Sequence, residues 1–233
     1  MVKTRGKLTL AGTTLGDPAD IPARSLEALR QGELLVFEED RPARQFLKAA
    51  GVHRDYLKFT EHGETATLEE IRSALKKGKW VVYMSDQGMP NVADPGQAIL
   101  RLGYELGVEV NVIPGPSSVT AALAACPFYQ DQFFYAGFLS RKESLRAKQL
   151  GEIGRRFEPT VILEAPYRRK ALLDACCESL GKARRATLAL DISGSKEAFL
   201  FGTLKELVSL SGKRPEKLNF VLILEGTSPP LSR

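Results

Sequence analysis

KWVVYMSDQGMPNVADPG, residues 79–96, decides the fold. Its first seven residues form a nearly unbroken apolar run, as expected of a strand buried on both faces of a parallel sheet. Its last twelve hold two Gly, two Pro and two Asp, so the strand runs into an irregular loop. Ligands of open α/β sheets gather beyond the carboxyl ends of the strands, which makes this loop the first functional candidate. Upstream, TLEEIRSALKKG (67–78) predicts a helix. Leu68, Ile71, Ala74 and Leu75 share one face, Thr67 and Glu70 fit a capping box, and Lys76 and Lys77 suit the negative end of the dipole.

The same alternation continues on both sides. Strands are expected at 7–12, 33–39, 56–59 and 108–113, with helices at 22–32, 42–50, 96–106 and 117–125. Alternating strand and helix implies a parallel sheet with crossovers. Beyond Pro127 the pattern changes. Strands are expected at 132–138, 161–165, 184–192, 197–203 and 217–226, with helices at 142–150, 168–180 and 203–210. Two of these β-runs are separated only by SGSK, which predicts a hairpin and hence a mixed sheet. The expected architecture is α/β in two domains: 1–127 with a mostly parallel sheet, and 128–233 with a mixed one.

The chain has 233 residues, 43% hydrophobic and 26% charged, an ordinary globular composition. No run approaches a membrane span, and the N-terminal segment has no apolar h-region, so neither a membrane protein nor a secreted one is expected. Cys126, Cys176 and Cys177 make no C-x-x-C pair, and His53 and His62 are too few for a histidine metal site, so no metal is expected and the thiols suit the cytoplasm. Net charge is +5, yet residues 137–186 alone hold 12 Lys/Arg against six Asp/Glu, leaving −1 for the rest. Such a basic stretch fits either a polyanionic partner or a solvated surface.

Two further strand ends carry unusual loops, AGTTLGDPADI (11–21) and IPGPSSVT (113–120). Tight turns account for any one of the three; three on one sheet edge point to a ligand. No G-x-G-x-x-G follows a strand, and no P-loop or G-x-S-x-G elbow occurs, which argues against dinucleotide, nucleotide-triphosphate and hydrolase chemistry.

These loops resemble the tetrapyrrole-methylase superfamily of S-adenosylmethionine (SAM) methyltransferases, and within it the branch of ribosomal small-subunit methyltransferase I. SDQGMPNVADPG is similar to that branch's S-D-x-G-x-P-x-x-x-D-P-G loop, and IPGPSSVTAAL to its P-G-P loop. FFYAGFL (133–139), LEAPYRRKALLDA (163–175) and NFVLILEG (219–226) follow in the right order. The resemblance implies SAM in a cleft between two domains, and a homodimer. It implies SAM contacts, mostly through backbone, at Thr14, Asp86, Gly88, Met89, Val92, Ser117 and Ser118 from the first domain, and at Glu164, Ile192 and Val221 from the second. Thr14 stands where the family usually has Pro, Met89 where it has Thr or Asp, and SGSKE (193–197) replaces a T-K-x-x-E segment. The extra C-terminal segment typical of the rRNA enzymes is not expected here.

A ribose 2′-hydroxyl is a poor nucleophile at neutral pH, so a positioned base helps. TEHGET (60–65) offers Glu64, with His62 second; helix capping is the competing role. Glu38 and Arg41 match the branch's E-D-x-R, where they either organise the acceptor or form a surface ion pair. Arg141, Lys142, Arg146, Lys148, Arg168 and Arg169 are candidate phosphate contacts, with Phe133, Phe134 and Tyr135 as stacking platforms. Strand alternation requires at least one of those aromatics to be core. The expected activity is SAM-dependent methylation of a cytidine ribose in small-subunit rRNA, with rRNA or the small subunit as partner. A small-molecule acceptor such as a tetrapyrrole, or non-catalytic SAM or RNA binding, are the alternatives.

Overall fold

A computed structural model describes residues 6–60, 65–93, 96–128 and 131–227. The chain divides into two compact units, Met1–Ser117 and Ser118–Arg233.

The first unit is built on β1 (Lys7–Ala11), β2 (Leu34–Phe37), β3 (Leu57–Lys58), β4 (Trp80–Met84) and β5 (Glu109–Ile113). All pairings are parallel, in the order β3-β2-β4-β1-β5. Helices α1 (Ala23–Gln31) and α2 (Asp40–Ala50) cover one face, and α3 (Thr65–Lys76) and α4 (Gln97–Glu105) the other. The run at 79–85 behaves as its composition dictates. Val82 and Met84 pack with Leu29, Phe46 and Leu47, while Val81 and Tyr83 pack with Ile71, Leu75 and Ile99. Each fully buried side chain of this size contributes about 1.5–3 kcal/mol, so β4 anchors both layers at once. The capping box expected at Thr67 does not form, because α3 already begins at Thr65.

The second unit contains α5 (Ser118–Ala124), β6 (Phe134–Phe138), α6 (Glu143–Ile153), β7 (Thr160–Leu163), α7 (Arg169–Leu180), β8 (Arg185–Leu190), β9 (Ala198–Thr203), α8 (Leu204–Gly212) and β10 (Phe220–Leu224). Its order is β6-β7-β10-β8-β9. β6 and β7 are parallel and every other pair is antiparallel, the mixed sheet that the SGSK hairpin between β8 and β9 implies. Helices α6, α7 and α8 bury one face, with Leu150, Leu172, Leu207 and Cys176 against Ile162, Leu188 and Leu222. Val119, Ala122 and Leu123 of α5 pack on the other, against Val161, Ala189, Val221 and Ile223. That packing is why the division falls at Ser117/Ser118, upstream of the expected boundary near Pro127. A capping box does occur in this unit. Thr203 accepts from the Glu206 amide, and the Glu206 carboxylate accepts from the Thr203 amide.

Candidate functional site

The three unusual loops follow β1, β4 and β5, which are neighbours in the sheet, so parallel pairing brings their starts to one edge. They lock together through backbone. The Thr13 amide donates to the Gly88 carbonyl at 2.8 Å, and the Gly88 amide returns to the Thr14 carbonyl at 3.0 Å. The Gly12 amide donates to the Ile113 carbonyl at 2.9 Å. A Cβ on Gly12 would lie 2.7 Å from both the Cα and N of Gly115, so the first and third loops touch backbone to backbone. Met89 bridges the second and third loops, its Sδ accepting from the Gly115 amide at 3.1 Å. Gln87 Nε2 ties the second loop to the Leu15 carbonyl at 3.0 Å.

Thr14, Gly88 and Met89 therefore meet, as members of one interlocked rim. Thr14 is 9% exposed, and its hydroxyl closes a local turn by donating to the Asp17 carbonyl and accepting from the Gly16 amide. Val92 is 45% exposed on the outer part of the second loop, between the positive-φ residues Asn91 and Ala93. Ser117 is half-buried, and Ser118 opens α5. No Lys or Arg occurs in the three loops (11–21, 85–96 and 113–120). A rim without cations but rich in backbone polar groups suits a neutral or cationic ligand and disfavours a phosphate.

Glu38, at the end of β2, is 9% exposed and accepts from the Tyr83 hydroxyl at 2.9 Å. Arg41 lies exposed in the first turn of α2. The Glu38 carboxylate is thus held inside by a phenol from the core. Tyr83 is a contributor that its apolar run hides in the sequence. Asn91 Oδ1 is buried without a hydrogen-bond partner among the described residues, and a Cβ at Gly96 would meet both it and the Tyr83 ring.

Asp86 accepts from the Glu39 amide at 3.2 Å, joining the second loop to the start of α2. Burial pushes its carboxyl above the ordinary range, partly offset by that hydrogen bond. A raised folded pKa means that the stabilisation is present below the unfolded value and is lost as pH rises through the folded one. Asp86→Asn keeps an oxygen for Glu39 and removes the charge. It should be more stable than the parent at pH 7, with the gain vanishing below about pH 4. Urea midpoints at both pH values check this, and a less stable variant at pH 7 contradicts it.

In the second unit, Leu163, Val221 and Ala189 lie in register across β7, β10 and β8. Glu164 and Ile192 follow two of those strands on the same edge. Val221 is 2% exposed beneath α5. The Glu164 side chain is 3% exposed; Oε2 lies 3.2 Å from Arg168 Nη1, an ion pair whose geometry makes no hydrogen bond. Oε1 accepts from the Ala165 amide at 2.8 Å.

The basic candidates divide. Arg141, Lys142 and Lys148 are exposed and Arg146 is half-buried. Arg168 is taken up by Glu164, and Arg169 is 4% exposed with Nη2 donating to the Pro215 carbonyl at 2.7 Å. Neither offers a free surface guanidinium. None of Phe133, Phe134 and Tyr135 is core, because β6 is an edge strand with a bulge at Tyr135/Gly137; the Arg156 guanidinium covers the Phe134 ring at 3.5 Å. His62 and Glu64 lie outside the described residues. All three cysteines are free, and burial pushes the Cys176 thiol up to about 12, which makes it inert. Among the described residues no cluster has a metal-site composition, and no helix is long and apolar enough to cross a membrane.

Comparison with known proteins accords with this arrangement. The family model for tetrapyrrole (corrin/porphyrin) methylases matches residues 7–208. The chain is 31% identical over 221 residues to ribosomal RNA small subunit methyltransferase I of Thermotoga maritima, spanning 95% of this chain and 99% of that protein. It is 28% identical to the Bacillus subtilis protein of the same name, over 96% of this chain and 76% of that one. Among solved structures, a cobalt precorrin-4 methyltransferase aligns with a TM-score of 0.71 at 16% identity, over 94% of each chain. A diphthine synthase aligns at 0.70 and 19% identity, over 96% of this chain and 91% of that one.

Proposed function

The chain belongs to the tetrapyrrole (corrin/porphyrin) methylase family, and from that premise we propose that it methylates small-subunit rRNA, using SAM, at the ribose 2′-oxygen of a cytidine. The observation that carries the reading is the near end-to-end similarity to a named rRNA small subunit methyltransferase I. The cation-free rim after β1, β4 and β5 supports a sulfonium nucleoside as the donor. SAM, when bound, supplies an electrophilic methyl carbon whose bond to sulfur breaks as the bond to the acceptor oxygen forms.

The residues of the chain then have distinct tasks. Thr14, Gly88, Met89 and Ser117 hold the nucleoside through the loop backbone, with Asp86 and Val92 shaping that loop and Ser118, Ile192 and Val221 adding backbone contacts. The Glu164 carboxylate offsets positive charge near the donor. Glu64 takes the ribose hydroxyl proton, with His62 as its neighbour, while Glu38 and Arg41 organise the acceptor. Arg141, Lys142, Arg146 and Lys148 meet RNA phosphates. The reading includes a cytoplasmic homodimer. Phe199, Phe201, Phe138 and Tyr135, each at least 37% exposed on the sheet face that α5 only partly covers, support a second copy as their cover.

Mapping ribose methylation on rRNA from cells lacking the gene tests the reading. One cytidine of the small subunit should lose its 2′-O-methyl group and regain it on complementation; an unchanged map at every cytidine removes the proposal. Glu64→Ala should slow transfer by about 10²–10⁴-fold, the usual worth of a general base, with SAM affinity unchanged. Full turnover in that variant rules the base assignment out.

A further inference from the structure

Arg168 and Arg169 are adjacent, yet among the described residues only Arg168 has a carboxylate within ion-pair distance. Arg169 opens α7 at 4% exposure, and its Nη1 is buried with no hydrogen-bond partner. A buried guanidinium with an unspent donor is costly unless something pairs with it. The charged neighbour of opposite sign is Glu216, which is itself exposed.

Arg169 lines a cavity of about 270 Å³ between the start of α7 and the end of α8. Lys170, Arg214 and Glu216 give the remaining charges on its wall, so the lining carries a net +2. Lys170 is held in part by Asp174 at 2.7 Å. Ser211 adds a buried hydroxyl-bearing residue, and Tyr167 stands 67% exposed at the edge. At the end of α8 the carbonyls of Leu210 and Ser211 accept from the Lys213 and Arg214 amides.

We propose that this cavity binds a phosphate ester carried on a sugar. A phosphate offers several acceptor oxygens to a forked guanidinium and matches the net charge of the wall. The space exceeds what a phosphate alone fills, and the exposed phenol is suited to cover the attached sugar or base. Two sources share that chemistry, a free sugar phosphate and a backbone position of RNA; only the second rests on the rRNA reading above.

Thermal shift and calorimetry on the full chain decide it, with ribose 5-phosphate, ribose and the RNA dinucleotide UpU, each against chloride at matched ionic strength. Ribose 5-phosphate or UpU should raise Tm at millimolar concentration, and ribose should not. Arg214→Glu, at an exposed position, should weaken binding about tenfold or more, and Arg169→Met should remove it. UpU binding tighter than ribose 5-phosphate identifies RNA as the source; the reverse order identifies a free ester. No shift with either phosphate compound, or a shift that Arg214→Glu leaves unchanged, overturns the proposal. Methylation of small subunits by the same wild-type preparation is measured in parallel, so loss of the rRNA reading and loss of this site register separately.

Discussion

Gly12→Val should abolish detectable SAM binding and lower Tm by roughly 10 °C. The added Cβ would meet the Cα and N of Gly115 at 2.7 Å and Met89 Sδ at 3.0 Å. Two of these three atoms are backbone, so no rotamer change relieves the clash. Relief requires separating the first and third loops. That strains the Gly12 to Ile113 hydrogen bond and the one from Ser25 Oγ to the Gly12 carbonyl at 2.7 Å. Overpacking of a rigid site costs about 1–3 kcal/mol, and two strained buried hydrogen bonds add about 1 kcal/mol each. In a protein of this size each kcal/mol is worth about 2–4 °C. Gly151→Ala is the matched control: nothing lies within 4 Å of its added Cβ in α6, and a helix-interior Gly→Ala change should raise stability by about 0.5–1 kcal/mol. Calorimetric titration with SAM and thermal melts on both variants read the outcome. A Gly12→Val protein that binds SAM like the parent would remove the interlocked rim from any role in donor binding.

The contrast between those two glycines shows what the sequence can reveal. The elements were legible because each is governed by local pattern: β4 by an apolar run, the β8–β9 hairpin by a four-residue polar gap. The loops were legible as loops for the same reason. Their locking was not, because Gly12 and Gly115 meet only once β5 is laid beside β1, about a hundred residues along the chain. Nothing local to EEDRPAR points to Tyr83 as a partner of Glu38, because Tyr83 sits in the middle of a core strand. Arg168 and Arg169 looked interchangeable, and one residue of helical rotation sends the first to Glu164 and the second to the Pro215 carbonyl. Thr67 fits a capping box by spacing, and the helix simply starts two residues earlier. In each case the missing information is a long-range neighbour or a boundary shift, the two things that composition and periodicity do not encode.

Arg168→Met should destabilise the protein by about 2–4 kcal/mol, and adding Glu164→Gln should recover most of that loss. Removing one partner of a buried ion pair leaves the other charge uncompensated, typically at about 3–5 kcal/mol. The Arg168 side chain is 16% exposed and the pair lacks hydrogen-bond geometry, so the cost centres on the lower end of that range. In the single variant the Glu164 side chain, 3% exposed, keeps only the Ala165 amide on Oε1. Neutralising it as an amide removes the unpaired charge while preserving size. The coupling in the double-mutant cycle isolates the pair from the packing lost with the arginine stem. The same three proteins also test the proposed electrostatic task of Glu164. Arg168→Met retains the carboxylate and should bind SAM within a few-fold of the parent below its melting range. The two variants that include Glu164→Gln should bind it more weakly, while S-adenosylhomocysteine, which lacks the sulfonium charge, should discriminate far less. If Arg168→Met costs under about 1 kcal/mol, the pair behaves as an ordinary surface contact. If Glu164→Gln leaves the preference for SAM over S-adenosylhomocysteine untouched, the carboxylate is there to fix the start of α7 and not to meet the donor's charge.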